Sequence, residues 1–248
     1  MKKEFGFSSA LDMNLQNESA PVNRPSSLLK LRHELAGTLN FNYLTTPFHN
    51  QPLDNQVSRV LKRGADILIS SVTILAVFSW LIPLMALLIK LDSKGPVFFL
   101  QKRNKRNGVL FTCIKFRSMV VNEDADILPA GKDDKRITRI GRFLRDHYID
   151  ELPQFFNVFM GDMSLIGPRP HMITDNLQFD QRVKNYACRH LVKPGITGLA
   201  QVLGLVGLVD DQEKLEARVN IDIFYVRHWS PRLDLIILLK TIKKIAGL

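Results

Sequence analysis

ILISSVTILAVFSWLIPLMALLI, residues Ile67 to Ile89, contains no charged side chain. A helix over this run is about 35 Å long at 1.5 Å per residue, enough to cross the hydrocarbon core of a bilayer. Two features oppose a plain crossing. Pro83 lies inside the run, where it removes a helix hydrogen bond and kinks the axis. Arg59, Lys62 and Arg63 precede the run, and Lys90, Lys94, Lys102 and Arg103 follow it. Positive flanks stay on the cytoplasmic side of a membrane. A helix that enters, bends at Pro83 and returns satisfies both flanks. A tilted spanning helix is the alternative. Residues 56–94 are therefore expected to form a re-entrant membrane helix region.

Working outward, residues 1–55 are polar, with scattered Asn, Ser and Pro. They are expected to be a largely disordered extension, with a short helix at Ser27–Leu35 capped by Ser26 or Ser27. The first twenty residues lack the apolar core of a signal peptide. The chain of 248 residues has a formal net charge of +10 and a pI near 9.7. That balance suits an anionic membrane, a phosphorylated substrate or a nucleic acid. Aromatic residues make up only 8% and are mostly Phe. The basic residues border an apolar segment rather than a stacking platform, which argues against nucleic acid. Cys113 and Cys188 are the only cysteines and form no CxxC, so a reducing compartment fits and a zinc site does not.

Past Gly95-Pro96, residues 95–248 read as one small domain that is α/β but mostly helical. Strands are expected at Val97–Gln101 and Val109–Lys115, with a basic turn between them. Helices are expected at Asn122–Leu128, Ile140–Asp146, Glu151–Met160, Thr174–Ala187 and Glu213–Trp229. The last stretch, DLIILLKTIKKIAGL from Asp234, is apolar on one face, with Lys240, Lys243 and Lys244 elsewhere. It reads either as a helix in the membrane interface or as one packed on the core.

The densest chemistry lies in IDELPQFFNVFMGDMSLIGPRP, from Ile149 to Pro170. Asp150 and Glu151 are adjacent carboxylates followed by Pro153, which places the pair at a helix N-terminus. That end offers free N–H groups to a phosphate, although on spacing alone a simple N-cap role for Asp150 is the commoner explanation. Lys115, Arg117, Arg136, Arg139, Arg142, Arg145 and Arg169 crowd the neighbourhood. Such a cluster suits a pyrophosphate, since Arg grips phosphate oxygens in pairs. KPGITGLAQ, from Lys193 to Gln201, forms a second Gly/Pro turn with a cation at its start.

These motifs together resemble the monotopic phosphoglycosyl transferases, a family of bacterial sugar transferases. The resemblance runs from about Lys62 to the C-terminus. It is carried by KRGADILIS, KGPVFFLQKR, KFRSM, RITRIGRFLR, IDELPQFFNVFMGDMSLIGPRP, KPGITGLAQ and FYVRHWSPRLDLIILLKTI, in that order. It implies transfer of a sugar-1-phosphate from a UDP-sugar to undecaprenyl phosphate, releasing UMP. That reaction opens the membrane steps of exopolysaccharide, capsule, O-antigen or glycoprotein glycan synthesis. The resemblance further implies that Asp150 is a covalent nucleophile aided by Glu151, with both carboxylates holding Mg²⁺. Lys115, Arg117, Arg145 and Arg169 would bind substrate phosphates. Pro83 would break a membrane helix that never crosses, which keeps the catalytic domain on the cytoplasmic face of the inner membrane.

Two stretches depart from the family pattern. QKRNKRNG puts Lys105 where a Gly is usual in the basic turn, and Asp146-His147-Tyr148 precedes the dyad where basic or small hydroxylic residues are usual. A catalytically inactive membrane-surface scaffold of the same fold is the competing reading. The intact Asp150-Glu151, Lys115 and Arg169 argue against it.

Overall fold

The structure, a computed structural model, describes residues 51–122, 130–131, 133–207 and 211–247. The expected helix at Ser27–Leu35 lies outside the described residues, as does most of the one at Asn122–Leu128. The domain is mostly helical, with two sheets of two strands each among the described residues.

The apolar run becomes part of a 37-residue helical stretch, Gln56–Asp92. Its first half, α1 (Gln56–Thr73), starts at Asn55, whose side chain accepts from the Val57 N–H at 2.8 Å. Its second half, α2 (Ser79–Asp92), holds Pro83 within regular helix. The irregular turn is π-helical and sits just upstream, at Ile74–Phe78. The placement has a steric reason. A proline ring crowds the carbonyl four residues earlier, which here belongs to Ser79, and a wide turn directly before that residue gives the ring room. One face of this stretch packs inward: Phe78, Leu81, Met85 and Ile89 are buried against Phe116 and Leu144. The other face leaves Leu68, Val72, Leu75, Trp80, Leu84 and Leu91 exposed. The helix is thus apolar on both sides, unlike a helix with a water-facing side.

Strands β1 (Phe98–Asn104) and β2 (Leu110–Phe116) form an antiparallel hairpin in which Phe98 faces Phe116 and Asn104 faces Leu110. Both run slightly later than the hydrophobic pattern suggested. Asn107 (φ 60°) and Gly108 (φ 72°) take the left-handed positions of the turn. Lys105 keeps an extended backbone and pairs with Asp162 at 2.6 Å, so its side chain is accommodated without backbone strain.

Helix α3 (Arg139–Asp146) is capped by the Thr138 hydroxyl, which accepts from Gly141 N. A Cβ at Gly141 would lie 1.9 Å from the Ser118 carbonyl oxygen, so only glycine lets α3 lie this close to the end of β2. Helix α4 is Gln154–Met160. Its fully buried Asn157 accepts from Ile114 N at 2.9 Å and donates to Thr112 O at 2.7 Å, which locks α4 onto β2. Strand β3 (Ser164–Ile166) pairs in parallel with β4 (Gly195–Thr197). Their loops touch backbone to backbone, since a Cβ on Gly195 would lie 2.1 Å from Gly167 N. GPRP and KPGITG, separated by 22 residues in the chain, are therefore one structural unit.

Helices α5 (Ile173–Arg182), α6 (Leu199–Val202), α7 (Gln212–His228) and α8 (Pro231–Ile245) complete the domain. The helix expected over Thr174–Ala187 ends at Arg182, because Val183 is extended and Asn185 left-handed (φ 63°). Helix α8 packs one face on the core and leaves apolar side chains exposed elsewhere. Ile237 is fully buried and the Thr241 hydroxyl bonds that of Thr197 at 2.8 Å, while Leu235, Leu239, Ile242 and Ile245 are exposed.

The structure assigns Arg117 elsewhere than to phosphate. Its guanidinium donates to the Pro96 carbonyl (2.6 Å), the Ser93 hydroxyl (2.7 Å) and the carbonyls of Ser93 (2.8 Å) and Lys94 (3.1 Å), and the residue is 5% exposed. It straps the end of α2 to the end of β2. Arg117→Met should lower stability by about 2–3 kcal/mol, because three carbonyls and the Ser93 hydroxyl lose a charged donor. Thermal denaturation measures that loss.

Candidate active site

The chain leaves α3 through Tyr148, a left-handed residue (φ 58°, ψ 17°). A bulky side chain seldom adopts that backbone, and it redirects the chain so that Ile149–Glu151 forms a short 3₁₀ turn. The dyad therefore lies in that turn rather than in the first turn of α4, as the Pro153 spacing had suggested, and Pro153 stands directly before Gln154. His147 turns away and packs on Phe143, with its Nδ1 2.9 Å from the Phe143 carbonyl.

The two carboxylates face different surroundings. Glu151 receives Lys115 Nζ at 3.0 Å and Arg169 Nη1 at 2.8 Å, with Arg169 Nη2 on its other oxygen. Burial alone would raise its pKa, yet Arg169 and Lys115 outweigh that and hold it well below the usual carboxylate range. Asp150 is 8% exposed and accepts no protein hydrogen bond among the described residues. Burial, reinforced by the neighbouring Glu151 charge, pushes its carboxyl up to about 6, against the pull of Lys115, Arg145 and Arg169. One carboxylate is thus a fixed, fully paired anion. The other is desolvated and unpartnered, the condition of a reactive group.

Three of the four cations read from the sequence converge here. Lys115 and Arg169 grip Glu151, and Arg145, half-buried, acts on Asp150 through its charge. Arg117 is spent on its strap. A second group of residues was missed. Arg189, on the 3₁₀ turn Tyr186–Leu191, is fully buried in an ion pair with Asp222 of α7 at 2.7 Å, and it donates to the Arg169 carbonyl at 2.7 Å. His171 and Tyr186 complete this network, with His171 Nδ1 2.6 Å from the Tyr186 hydroxyl. Arg103 donates to the Pro170 carbonyl at 3.3 Å. The backbone carbonyls of Arg169 and Pro170 are thereby held by Arg189 and Arg103. The sequence held one clue: Asp222 interrupts the apolar stretch NIDIFYV, and a buried carboxylate needs a cation.

Among the described residues no group of three or more His, Cys, Asp or Glu side chains is placed to hold a metal. The donor set at the site is the two carboxylates of the dyad. Hard oxygens of that kind fit Mg²⁺, which commonly takes one or two carboxylates and completes its shell with water and substrate phosphates.

The model of the bacterial sugar transferase family matches residues 57–247. The chain belongs to that family. It is similar to the Klebsiella pneumoniae protein named UDP-glucose:undecaprenyl-phosphate glucose-1-phosphate transferase, with 46% identity over 199 residues, 80% of this chain and 42% of that protein. A Caulobacter vibrioides protein of the same name is 43% identical over 192 residues, 77% of this chain and 72% of its own length. An Aeromonas hydrophila protein named UDP-N-acetylgalactosamine-undecaprenyl-phosphate N-acetylgalactosaminephosphotransferase is 41% identical over 217 residues, 87% of this chain and 51% of its own. The chain thus spans about two fifths of the Klebsiella relative and about half of the Aeromonas one. Dyad, hairpin and both glycine-rich loops all lie inside the family match.

Proposed function

We propose that the protein transfers a sugar-1-phosphate from a UDP-sugar to undecaprenyl phosphate, giving a polyprenyl diphosphate-sugar and UMP. The observation that carries this reading is the split dyad: a buried, unpartnered Asp150 beside a Glu151 clamped by Lys115 and Arg169. In the first step an Asp150 carboxylate oxygen bonds to the β-phosphorus of the UDP-sugar. The bond from that phosphorus to the bridging oxygen breaks, and the electron pair leaves on UMP. In the second step a phosphate oxygen of the lipid displaces Asp150 and regenerates the carboxylate. A covalent intermediate lets a water-soluble and a lipid substrate use one site in turn.

Arg169, Lys115 and Arg145 supply positive charge around the transferring phosphoryl group. Glu151 keeps Arg169 and Lys115 aligned. Asp150 and Glu151 would hold Mg²⁺, which when bound offsets the repulsion between a carboxylate and a diphosphate. The relatives are named for glucose and for N-acetylgalactosamine at 46% and 41% identity. A UMP-release assay against a panel of UDP-sugars therefore tests the reaction and identifies the sugar together. No UMP from any UDP-sugar in the presence of Mg²⁺ would sink the proposal, and full activity after exhaustive EDTA treatment would remove the metal from it.

The raised Asp150 carboxyl gives a pH signature. Attack requires the ionised form, so kcat/KM for UMP release should be flat above pH 7 and fall about tenfold per unit below about pH 6. An ordinary carboxylate would hold the rate constant down to about pH 4.

A further inference from the structure

Arg63 and Lys193 meet at the far end of α4 from the dyad, about 10 Å along that helix. A Cβ built on Gly161 would lie 3.4 Å from Arg63 Nη2 and 3.4 Å from Lys193 Nζ, so the two nitrogens are no more than about 7 Å apart. Both side chains are half-buried. Arg63 uses two of its five N–H groups on the carbonyls of Val158 (2.6 Å) and Phe159 (2.7 Å) and has three left. Lys193 has no hydrogen bond or ion pair among the described residues.

The acids within reach are already matched. Asp162 pairs with Lys105 at 2.6 Å. Asp66 accepts from the Ser164 hydroxyl at 3.0 Å and from Leu165 N at 2.9 Å. Neither of these two neighbouring, partly desolvated cations forms an ion pair with a carboxylate among the described residues, and burial and Arg63 push the Lys193 amine down from its usual range against the weaker pull of Asp66 and Asp162. Gly161, left-handed at φ 92°, leaves open the space between them. A phosphate has oxygens about 2.5 Å apart and takes charged N–H bonds of about 2.8 Å, so it can bridge cations at this spacing.

The surroundings select the kind of phosphate. Phe159 is 48% and Met160 59% exposed immediately before Gly161. Val60 (63%) and Leu61 (59%) are exposed on α1, and Arg59 lies exposed one turn before Arg63. Apolar side chains beside a phosphate clamp fit an acyl chain better than a nucleotide. We propose that Arg63 and Lys193, across Gly161, hold the phosphate of an anionic membrane phospholipid at a site separate from the dyad. This rests on reading α1–α2 as lying in a membrane face.

The test uses the full chain, delipidated in neutral detergent, with short-chain phosphatidylglycerol binding followed by native mass spectrometry. Lys193→Gln should weaken binding about tenfold. Lys193→Arg should restore it, and Arg232→Gln, which removes an exposed cation on α8, should leave it unchanged. Lys193→Gln folds without difficulty on this account, because its amine has no protein partner to lose. Equal binding by wild type and Lys193→Gln overturns the site, and so does an equal loss in Lys193→Gln and Arg232→Gln, which would mean diffuse charge. Inorganic phosphate binding as tightly as phosphatidylglycerol would make it a free-phosphate site and overturn the lipid assignment. Partition into pure phosphatidylcholine vesicles separates the two levels. It should persist in Lys193→Gln, whereas its absence in wild type would remove the membrane reading itself.

Discussion

Asp150→Asn should lower UMP release by at least about a thousandfold, because an amide is a far weaker nucleophile than a carboxylate in an otherwise intact site. Incubation with UDP-sugar and no lipid should add one sugar-phosphate mass to wild type and none to the variant. The fold should survive, since Asp150 accepts no protein hydrogen bond among the described residues. Stability supplies an independent sign. The folded pKa of about 6 lies above the ordinary aspartate value of 3.8, so the stability this group contributes is full below about pH 4 and is lost as pH rises through about 6. At pH 8 the wild type keeps a charge that burial disfavours. Asp150→Asn should therefore melt at a higher temperature than wild type at pH 8, with the gap closing toward pH 4. A variant that turns over normally, or one that melts lower at pH 8, would show that Asp150 serves the fold rather than the chemistry.

Local pattern carried much of this in advance. The hairpin, α3, α7 and the apolar run lie within a few residues of where periodicity and turn residues place them, because each is fixed by neighbours in sequence. The dyad was legible as adjacent carboxylates, and the resemblance singled out its Asp. What periodicity could not convey was long-range partnership. Arg117 and Arg169 look alike in sequence, each a lone arginine beside a turn. One is bound to four groups around Ser93–Pro96, and the other is held by Arg189 from behind and faces Glu151. The distinction depends on which backbone carbonyls lie within reach, and that is set by the antiparallel hairpin and the parallel β3–β4 contact. The π turn was hidden for a related reason. Pro83 announces a defect, but the helix takes it up one turn earlier, where the crowded carbonyl lies.

Cysteines placed at Gln56 and at Lys94, each in a chain lacking Cys113 and Cys188, should both resist an impermeant thiol reagent in intact cells and both react after lysis. A spanning helix would put one of them outside. The packing argues for a helix that stays on one side. The stretch Gln56–Asp92 would be about 55 Å long if straight, and it touches the same domain along its length. Lys62 pairs with Asp234 at 2.6 Å, and Arg63 caps the end of α4. Phe78 meets the rings of Phe155 and Phe156 at 6.2 Å and 5.2 Å. Asp92 accepts from Ile140 N at 3.0 Å. To cross a bilayer, the run would have to withdraw Phe78, Leu81, Met85 and Ile89 from the cluster with Phe116 and Leu144. Burial of each such side chain is worth about 1.5–3 kcal/mol in water, and lipid would return part of that. Breaking the Lys62–Asp234 and Asp92–Ile140 contacts in an apolar medium would add a cost that lipid does not return. A helix lying along the domain keeps all of these contacts and still offers Leu68, Val72, Leu75, Trp80 and Leu84 to the acyl chains. Labelling of either cysteine in intact cells would refute this. Pro83→Leu should leave both cysteines protected, because the packing contacts rather than the proline hold the helix on the domain.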